Sequence, residues 1–187
     1  MSEVKLKTNP KDSMQINGQL KALKRRGWLQ RNCLQTESDA EHSWGVAFLA
    51  MIYTPKELDK LKCIQLALVH DVVEIKTGDI TPQDNVLAEV KQERELFAMS
   101  ELSESLKQPE LKELFEEYED NLTPEAQFIH DLDKKDMIMQ CRYFIEQAQL
   151  SDDAWNEFTS YSSQKIQTKL GKCLFKDVFD GFLKKQP

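Results

Sequence analysis

Residues 63–75 read CIQLALVHDVVEI, and this stretch decides the fold. It is apolar on nearly every side, so a helix formed here belongs at the centre of the molecule. Two adjacent polar residues, His70 and Asp71, interrupt it. We therefore predict a central buried helix over about residues 57–76 that carries a polar pair into the core.

The rest of the chain also predicts helices. Ser38 and Glu41 have the spacing of a capping box, which marks a helix start. Thr123 and Pro124 supply an N-cap and a proline at the first helical position, so a long helix is expected from there. With only six glycines and six prolines in the chain, we predict an all-α fold. The remaining helices are expected over about 13–26, 38–53, 85–107, 110–120 and 124–148.

A length of 187 residues predicts one domain. Residues 1–12 are polar and are predicted to form a flexible N-terminal arm. Residues 13–187 are predicted to form the domain itself. Its core should lie over about 14–150, and helices over about 151–186 should cover that core.

Composition narrows the partners. The chain has 25 Lys and Arg against 32 Asp and Glu, a net charge of −7, which argues against a polynucleotide partner but not against a single nucleotide. It has no apolar run long enough to span a membrane and no apolar signal peptide, so we expect a cytoplasmic protein. Its four cysteines lie far apart, which argues against disulfides and zinc knuckles. We interpret them as small apolar fillers.

Further polar residues stand where the core should be. His42 shares a face with apolar residues four and seven positions later, and Asp133 interrupts an apolar stripe of its own helix. Glu74 lies one helical turn after His70 and Asp71, on a shared face. Each of these residues alone is as well explained by a hydrogen bond or a cap in the core. Together they favour a divalent cation, because a buried carboxylate needs a partner.

The set His42, His70-Asp71 and Asp133 resembles the metal-binding pattern of the HD-domain phosphohydrolases. Longer stretches resemble one branch of that family, the 5′-deoxynucleotidases, which includes a bacterial enzyme and the eukaryotic HD-domain-containing-2 proteins. These stretches are RxGW at Arg25–Trp28, RN at Arg31–Asn32, ESDAEHS at Glu37–Ser43, LALVHDVVEIKTGDITP at Leu66–Pro82 and EAQFIHDLDKKDM at Glu125–Met137. The resemblance covers about residues 14–150.

The resemblance implies an HD-domain helical bundle with one divalent metal ion, Co²⁺, Mn²⁺ or a similar ion, at its centre. The ligands would be His42, His70, Asp71 and Asp133. The implied reaction is metal-dependent removal of the 5′-phosphate from deoxyribonucleoside 5′-monophosphates. The resemblance also implies a homodimer, for which the helices over 85–120 and the C-terminal helices offer exposed faces.

The resemblance assigns the remaining roles residue by residue. Glu74 would match the catalytic acid, and Asp79 would match its partner near the attacking water. Arg25 would contact the phosphate, and Trp28 would position the phosphate and sugar, although a tryptophan after a helix end is as often a core residue. The nucleotide pocket would be lined by Asp79, Ile80, Thr81 and Pro82.

Two positions depart from a simple match. Arg26 lies nearer to Trp28 than Arg25 does, so either arginine fits the phosphate-contacting role, and we favour Arg25. His130 stands where family members often carry lysine. A mostly neutral histidine there would weaken a phosphate contact.

Other functions remain open. A hydrolase of nucleoside triphosphates or alarmones could share the metal pattern, although such substrates need more cations for the extra phosphates. A non-catalytic nucleotide sensor is a third possibility, and the acids Glu74 and Asp79 argue against it. Sites built on four histidines are excluded, because the chain has only three.

Overall fold

The computed structural model describes residues 8–183, with side chains up to residue 178. Within these residues the structure is all-α, as predicted, and the only β pairing is one isolated bridge between Lys24 and Ser38. The helices are α1 (Pro10–Ala22), α2 (Arg26–Leu29), α3 (Asp39–Tyr53), α4 (Lys60–Val69), α5 (Glu74–Thr77), α6 (Ala88–Leu106), α7 (Pro109–Asp120), α8 (Pro124–Glu146), α9 (Asp152–Ser163) and α10 (Lys169–Leu183).

Local caps set the two helix starts that matter most for the site. The Ser38 hydroxyl accepts a hydrogen bond from the Glu41 amide, and the Glu41 carboxylate accepts one from the Ser38 amide, so the predicted capping box of α3 is confirmed. Thr123 caps α8 by accepting from the Ala126 amide, and Pro124 occupies the first turn. These starts fix the register of both helices.

The central helix ends earlier than predicted. A continuous helix over 57–76 is wrong, because α4 stops at Val69 and α5 begins only at Glu74. Between them the backbone tightens to three-residue hydrogen bonds, with the Val72 amide on the Val69 carbonyl and the Glu74 amide on the Asp71 carbonyl. The break falls on His70 and Asp71, and it turns both polar side chains out of the apolar helix.

The N-terminal region also differs from its prediction. Helix α1 begins at Pro10, so the end of the predicted 1–12 arm is helical, while residues 1–7 lie outside the described residues. It ends at Ala22 rather than near residue 26, because the next residues run beside the segment before α3, with the Arg25 amide bonded to the Glu37 carbonyl. Gly27, expected to stop a helix, lies inside α2. The division into arm and domain stays a prediction.

The core lies where α3, α4 and α8 meet. Val46 of α3, Leu66 of α4 and Ile129 of α8 are each completely buried in one cluster. A second cluster joins Trp28 to α8 and α9 through Phe144 and Phe158. The first cluster fixes the three helices that carry the polar residues.

The cysteines and the lengths of the helices bear on two further expectations, the role of the thiols and the lack of a membrane span. The four cysteines are free thiols, and three are buried as expected of apolar fillers, whereas Cys173 is exposed. Among the described residues, no helix combines the length and apolar character needed to cross a bilayer.

Candidate active site

Four predicted ligands converge from three elements. His42 comes from the first turn of α3, His70 and Asp71 from the break after α4, and Asp133 from α8. The Nε2 atom of His42 lies 3.2 Å from Oδ1 of Asp133 and 3.8 Å from Oδ2 of Asp71. The Nε2 atom of His70 lies 3.3 Å from the same oxygen of Asp71. Two imidazoles and two carboxylates therefore point at one small volume.

The two histidines are oriented through their other ring nitrogens. Nδ1 of His42 lies 2.8 Å from Oδ2 of Asp136, and Nδ1 of His70 lies 2.8 Å from the carbonyl oxygen of Ala67. When the single proton of each imidazole is on Nδ1, the Nε2 atom carries a lone pair that can bind a cation. These Nε2 atoms are buried and have no hydrogen-bond partner among the described residues. Such an arrangement fits a divalent cation, whose histidine ligands are usually held in this way.

The charges around His42 are unbalanced without an ion. Burial and Arg25 lower the pKa of His42, but the nearby carboxylates of Asp133 and Asp136 outweigh them and raise it to about 10. Burial raises the pKa of Asp133, yet Lys134 and His42 hold it well below its usual range. A proton therefore stays on His42 at neutral pH, and the imidazolium balances part of the negative charge of the carboxylates.

Arg25 reaches the same centre from the other side. Its Nη1 donates to Oδ2 of Asp71 at 2.6 Å and lies 4.0 Å from Oε2 of Glu74. It also lies 3.8 Å from Oδ1 of Asp39, a completely buried carboxylate whose oxygens have no hydrogen-bond partner among the described residues. The guanidinium therefore faces three carboxylates at the edge of the metal-ligand cluster.

Glu74 is buried within a cluster of acids. Burial and the neighbouring Asp71 raise its pKa well above the ordinary value, although Arg25 lowers it. Carboxylate oxygens of Asp39, Glu74 and Asp79 lie within 4.8 Å of one another. Burial, followed by the charge of Asp71, also raises the pKa of Asp39 to about 7. The raised pKa favours the protonated form of Glu74, and in that form the side chain can act as an acid.

A cavity of about 430 Å³ opens beside these residues. It is large enough for a small organic molecule. Its lining includes the metal-ligand carboxylates Asp71 and Asp133 and residues of α9. The lining includes the predicted site residues Arg25, Trp28, Asp71, Glu74, Asp79, Ile80, Thr81, Pro82 and Asp133, and also Lys91, His130, Lys134, Phe158 and Tyr161.

Trp28 is chiefly a core residue. Its side chain is only 2% exposed, its ring packs on Phe144 and Phe158, and its indole N–H donates to the Glu37 carboxylate at 2.9 Å. It nonetheless reaches the cavity wall. It therefore offers the edge of a fixed ring, and its role in positioning phosphate and sugar stays a prediction.

The two neighbouring arginines have different surroundings. Arg25 faces the metal-ligand carboxylates, whereas the guanidinium of Arg26 pairs with Asp84 at 2.8 Å and also donates to the carbonyl of Asp79. The geometry favours Arg25 for contact with a phosphate, although this role remains untested. Arg26 instead holds the segment that lines the cavity.

His130 supplies no positive charge. Its ring stacks on Tyr118 and its Nε2 lies 2.9 Å from the Tyr118 carbonyl oxygen, and burial lowers its pKa. Lys134 and Lys91 also line the cavity, and Nζ of Lys134 donates to Oδ2 of Asp133 at 2.6 Å. Lys91 and Lys134 are therefore cationic groups of the cavity that sequence reasoning did not single out.

Sequence reasoning also missed two acids of the site, Asp136 and Asp39. Asp136 supports His42, and Gly45 makes room for it, since a Cβ on Gly45 would lie 2.5 Å from Oδ1 of Asp136. The spacing could have identified Asp136, because it follows Asp133 by three residues and therefore lies on the same face of the helix. Asp39 gave no such signal, since an acid in the first turn of a helix is ordinary.

Comparison with known proteins points to the same family that the sequence resembles. Residues 17–173 match the family model described as HD domain. The chain is 42% identical over 130 residues to the 5′-deoxynucleotidase HDDC2 of Homo sapiens, covering 68% of this chain and 64% of that one. It is 38% identical over 170 residues to the 5′-deoxynucleotidase hdd1 of Schizosaccharomyces pombe, covering 85% and 83%.

A solved structure is similar as well. It is the crystal structure titled predicted metal-dependent phosphohydrolase from Magnetospirillum magnetotacticum, with a TM-score of 0.66 and 25% sequence identity. The similarity covers 91% of this chain and 89% of that one. The matched stretch thus spans less than two thirds of the human protein but most of the fission yeast protein and of the bacterial structure.

Proposed function

Because the chain belongs to the HD-domain family, we propose that it is a metal-dependent 5′-deoxynucleotidase. It would hydrolyse a deoxyribonucleoside 5′-monophosphate to the deoxynucleoside and inorganic phosphate. One observation carries this proposal. Two imidazole nitrogens without hydrogen-bond partners and two carboxylates converge beside a cavity that is also lined by Arg25 and by the buried carboxyl group of Glu74, whose pKa is raised. The names of the human and fission yeast relatives support the same activity.

The metal would be held by His42, His70, Asp71 and Asp133. Mixed imidazole and carboxylate ligands suit Mn²⁺, Co²⁺ and similar divalent ions, and a single ion is what this ligand set would hold. When bound, such an ion polarises a phosphoryl group and makes water a stronger nucleophile at neutral pH. Asp136 and the Ala67 carbonyl would keep both histidines in the tautomer that this binding requires.

Arg25 is proposed to bind the phosphate. Its guanidinium lies between the metal-ligand carboxylates and the cavity, and its planar fork matches two phosphate oxygens. In the absence of substrate it pairs with Asp71. Lys134 lines the same cavity and adds positive charge near the phosphate.

Glu74 is proposed as the general acid. Breaking the bond between phosphorus and the 5′ oxygen leaves an alkoxide, which needs a proton. Glu74 lines the cavity, and its raised pKa favours the protonated form that can donate to this oxygen. Asp79, whose carboxylate lies near Glu74, would orient the attacking water.

The nucleoside would occupy the rest of the cavity. Its lining includes Trp28, the segment from Ile80 to Pro82, and Phe158 and Tyr161 of α9. A homodimer in the cytoplasm, as expected from the sequence, is part of the proposal and stays a prediction.

The nature of the product separates this proposal from the alternatives. With dAMP and dATP supplied separately, ³¹P NMR should show inorganic phosphate from dAMP and no pyrophosphate or triphosphate from dATP. Release of pyrophosphate or triphosphate would favour a triphosphate hydrolase. Binding of dAMP without any product, with the metal bound, would favour a nucleotide sensor.

A further inference from the structure

The cavity-lining segment 79–84 is held from outside by one side chain. After Gly78, which ends α5 with a φ of 75°, the chain runs along the cavity and forms a short 3₁₀ helix at Pro82–Asp84. Both terminal nitrogens of Arg26 donate to the two carboxylate oxygens of Asp84 at 2.8 Å. Nη1 of Arg26 also donates to the carbonyl oxygen of Asp79 at 3.2 Å. Arg26 therefore binds the segment at both of its ends.

Asp84 connects Arg26 to the middle of the segment through hydrogen bonds with Thr81. Its Oδ2 accepts hydrogen bonds from the amide of Thr81 at 2.8 Å and from the hydroxyl of Thr81 at 3.1 Å. Because that hydroxyl gives its proton to Asp84, it is free to accept from Nε2 of Gln30 at 3.0 Å. Gln30 itself lines the cavity. One series of hydrogen bonds thus runs from Arg26 to the cavity wall.

We propose that Arg26 and Asp84 are a positioning pair that holds Ile80–Pro82 in place for the nucleoside part of the substrate. The proposal rests on the proposed nucleotidase function. The two side chains are 44% and 23% exposed, and an ion pair of that exposure adds little to overall stability. Its two-pronged geometry instead fixes the backbone of the segment. In agreement, hydrogen bonding to Arg26 lowers the pKa of Asp84.

A second contact of Arg26 indicates whether its side chain affects substrate binding or the chemical step. The carboxylate of Asp79 accepts from the main-chain amide of Arg26 at 2.6 Å. Any residue at position 26 except proline keeps that amide. Loss of the Arg26 side chain should therefore release Ile80–Pro82 while Asp79 stays beside Glu74. Binding of the nucleotide should suffer, and the chemical step should not.

The test is a double-mutant cycle with Arg26→Gln and Asp84→Asn. Each single variant should raise the KM for dAMP about tenfold, as expected when a positioning contact is lost. The kcat should stay within about threefold of the wild type. The double variant should be no worse than either single variant, because both remove one shared contact. Arg26→Lys, which keeps the charge, should recover part of the loss.

A matched ion pair supplies the control. Lys62 and Glu117 lie 3.1 Å apart with exposures of 40% and 19%, and neither lines the cavity. Lys62→Gln should leave both KM and kcat unchanged. A fall in kcat with an unchanged KM in the Arg26 and Asp84 variants, or additive losses in the double variant, would overturn the proposal.

A second readout needs no turnover. Hydrogen–deuterium exchange of the amides in residues 79–84, measured without substrate, should be faster in Arg26→Gln and unchanged in Lys62→Gln. The melting temperature of both variants should stay within about 2 °C of the wild type, as expected for exposed pairs. Unchanged exchange in Arg26→Gln would overturn the positioning pair even if the nucleotidase function holds. Absence of dAMP hydrolysis by the wild type would overturn the function alone.

Discussion

The Nδ1 atom of His42 lies 2.8 Å from a carboxylate oxygen of Asp136, which approaches α3 at the point where Gly45 has no side chain. This contact fixes the ring of a proposed metal ligand and leaves Nε2 facing the other ligands. The orientation of His42 therefore depends on Gly45, which makes room for the carboxylate of Asp136.

Gly45→Ala should weaken metal binding. The added Cβ would lie 2.5 Å from Oδ1 of Asp136, so the carboxylate must rotate away and lose His42. We expect the affinity for Mn²⁺, measured by calorimetry, to fall about 10- to 100-fold, as is usual when a partner of a metal-binding histidine is lost. Gly18→Ala is the control, because a Cβ there meets no neighbouring atom within 4 Å. Equal affinities in both variants would contradict the supporting role of Asp136.

The metal-free protein should lose stability as the pH rises. The folded pKa of His42, about 10, lies above the unfolded value of 6.5. The folded state therefore keeps a proton that the unfolded state has lost. This contribution to stability is complete below pH 6.5 and disappears as the pH rises towards 10. Thermal melts of metal-free protein between pH 6.5 and 10 should show the decline.

Metal binding should displace the same proton. Calorimetry near pH 7.5 in buffers of different ionisation enthalpy should report release of about one proton per metal ion from His42. The apparent affinity should therefore increase with pH. Binding without proton release would contradict a protonated His42 in the metal-free centre.

Glu74→Gln should separate catalysis from binding. The amide keeps the size of the side chain but cannot donate the proton that a carboxylic acid gives to the leaving oxygen. We expect kcat for dAMP to fall about 10²- to 10⁴-fold, with the affinities for metal and nucleotide kept. Glu117→Gln is the control, because it changes a partly buried carboxyl group outside the cavity lining, and the ion-pair partner of Glu117, Lys62, also lies outside it. Full turnover by Glu74→Gln would remove Glu74 from the mechanism.

The outer face of α3 should be the contact surface of the expected homodimer. Trp44, Phe48, Met51 and Ile52 are 64%, 43%, 51% and 52% exposed and lie along one stripe, with Trp44 stacked on Phe48. Exposed apolar patches of this kind often mark contacts between proteins. We expect the double variant Trp44→Ser and Phe48→Ser to be monomeric by light scattering. Leu122→Ser is the control, because it removes an exposed apolar residue between α7 and α8, outside α3, and it should leave the mass of the assembly unchanged.

The sequence predicted the fold class and the convergence of the ligands for a physical reason. Polar residues at core-facing positions, such as His42 and Asp133, have to meet one another if each is to be satisfied. Helix starts with side-chain caps, at Ser38 and Thr123, were also predictable because a cap is a local feature. Both kinds of inference use only neighbouring residues and the cost of burial.

Other features depended on contacts distant in sequence. The break of the central helix places Asp71 beside Arg25 and His42, and the periodicity of the helix itself contains no information on these contacts. The division of roles between Arg25 and Arg26 is set by Asp71 and Asp84, 46 and 58 residues away. Asp39 resembled an ordinary first-turn acid, and its burial beside Arg25 depends on how α3 packs.

The most direct test of the central claim is phosphate release from dAMP and AMP, measured in parallel on protein stripped of metal and then reloaded with Mn²⁺ or Co²⁺. The proposed deoxynucleotidase should be inactive when stripped, active when reloaded, and faster with dAMP than with AMP. Equal rates with both nucleotides would contradict the deoxyribose preference. No phosphate release from either nucleotide, with metal bound at the His42–Asp133 centre, would contradict the nucleotidase assignment itself.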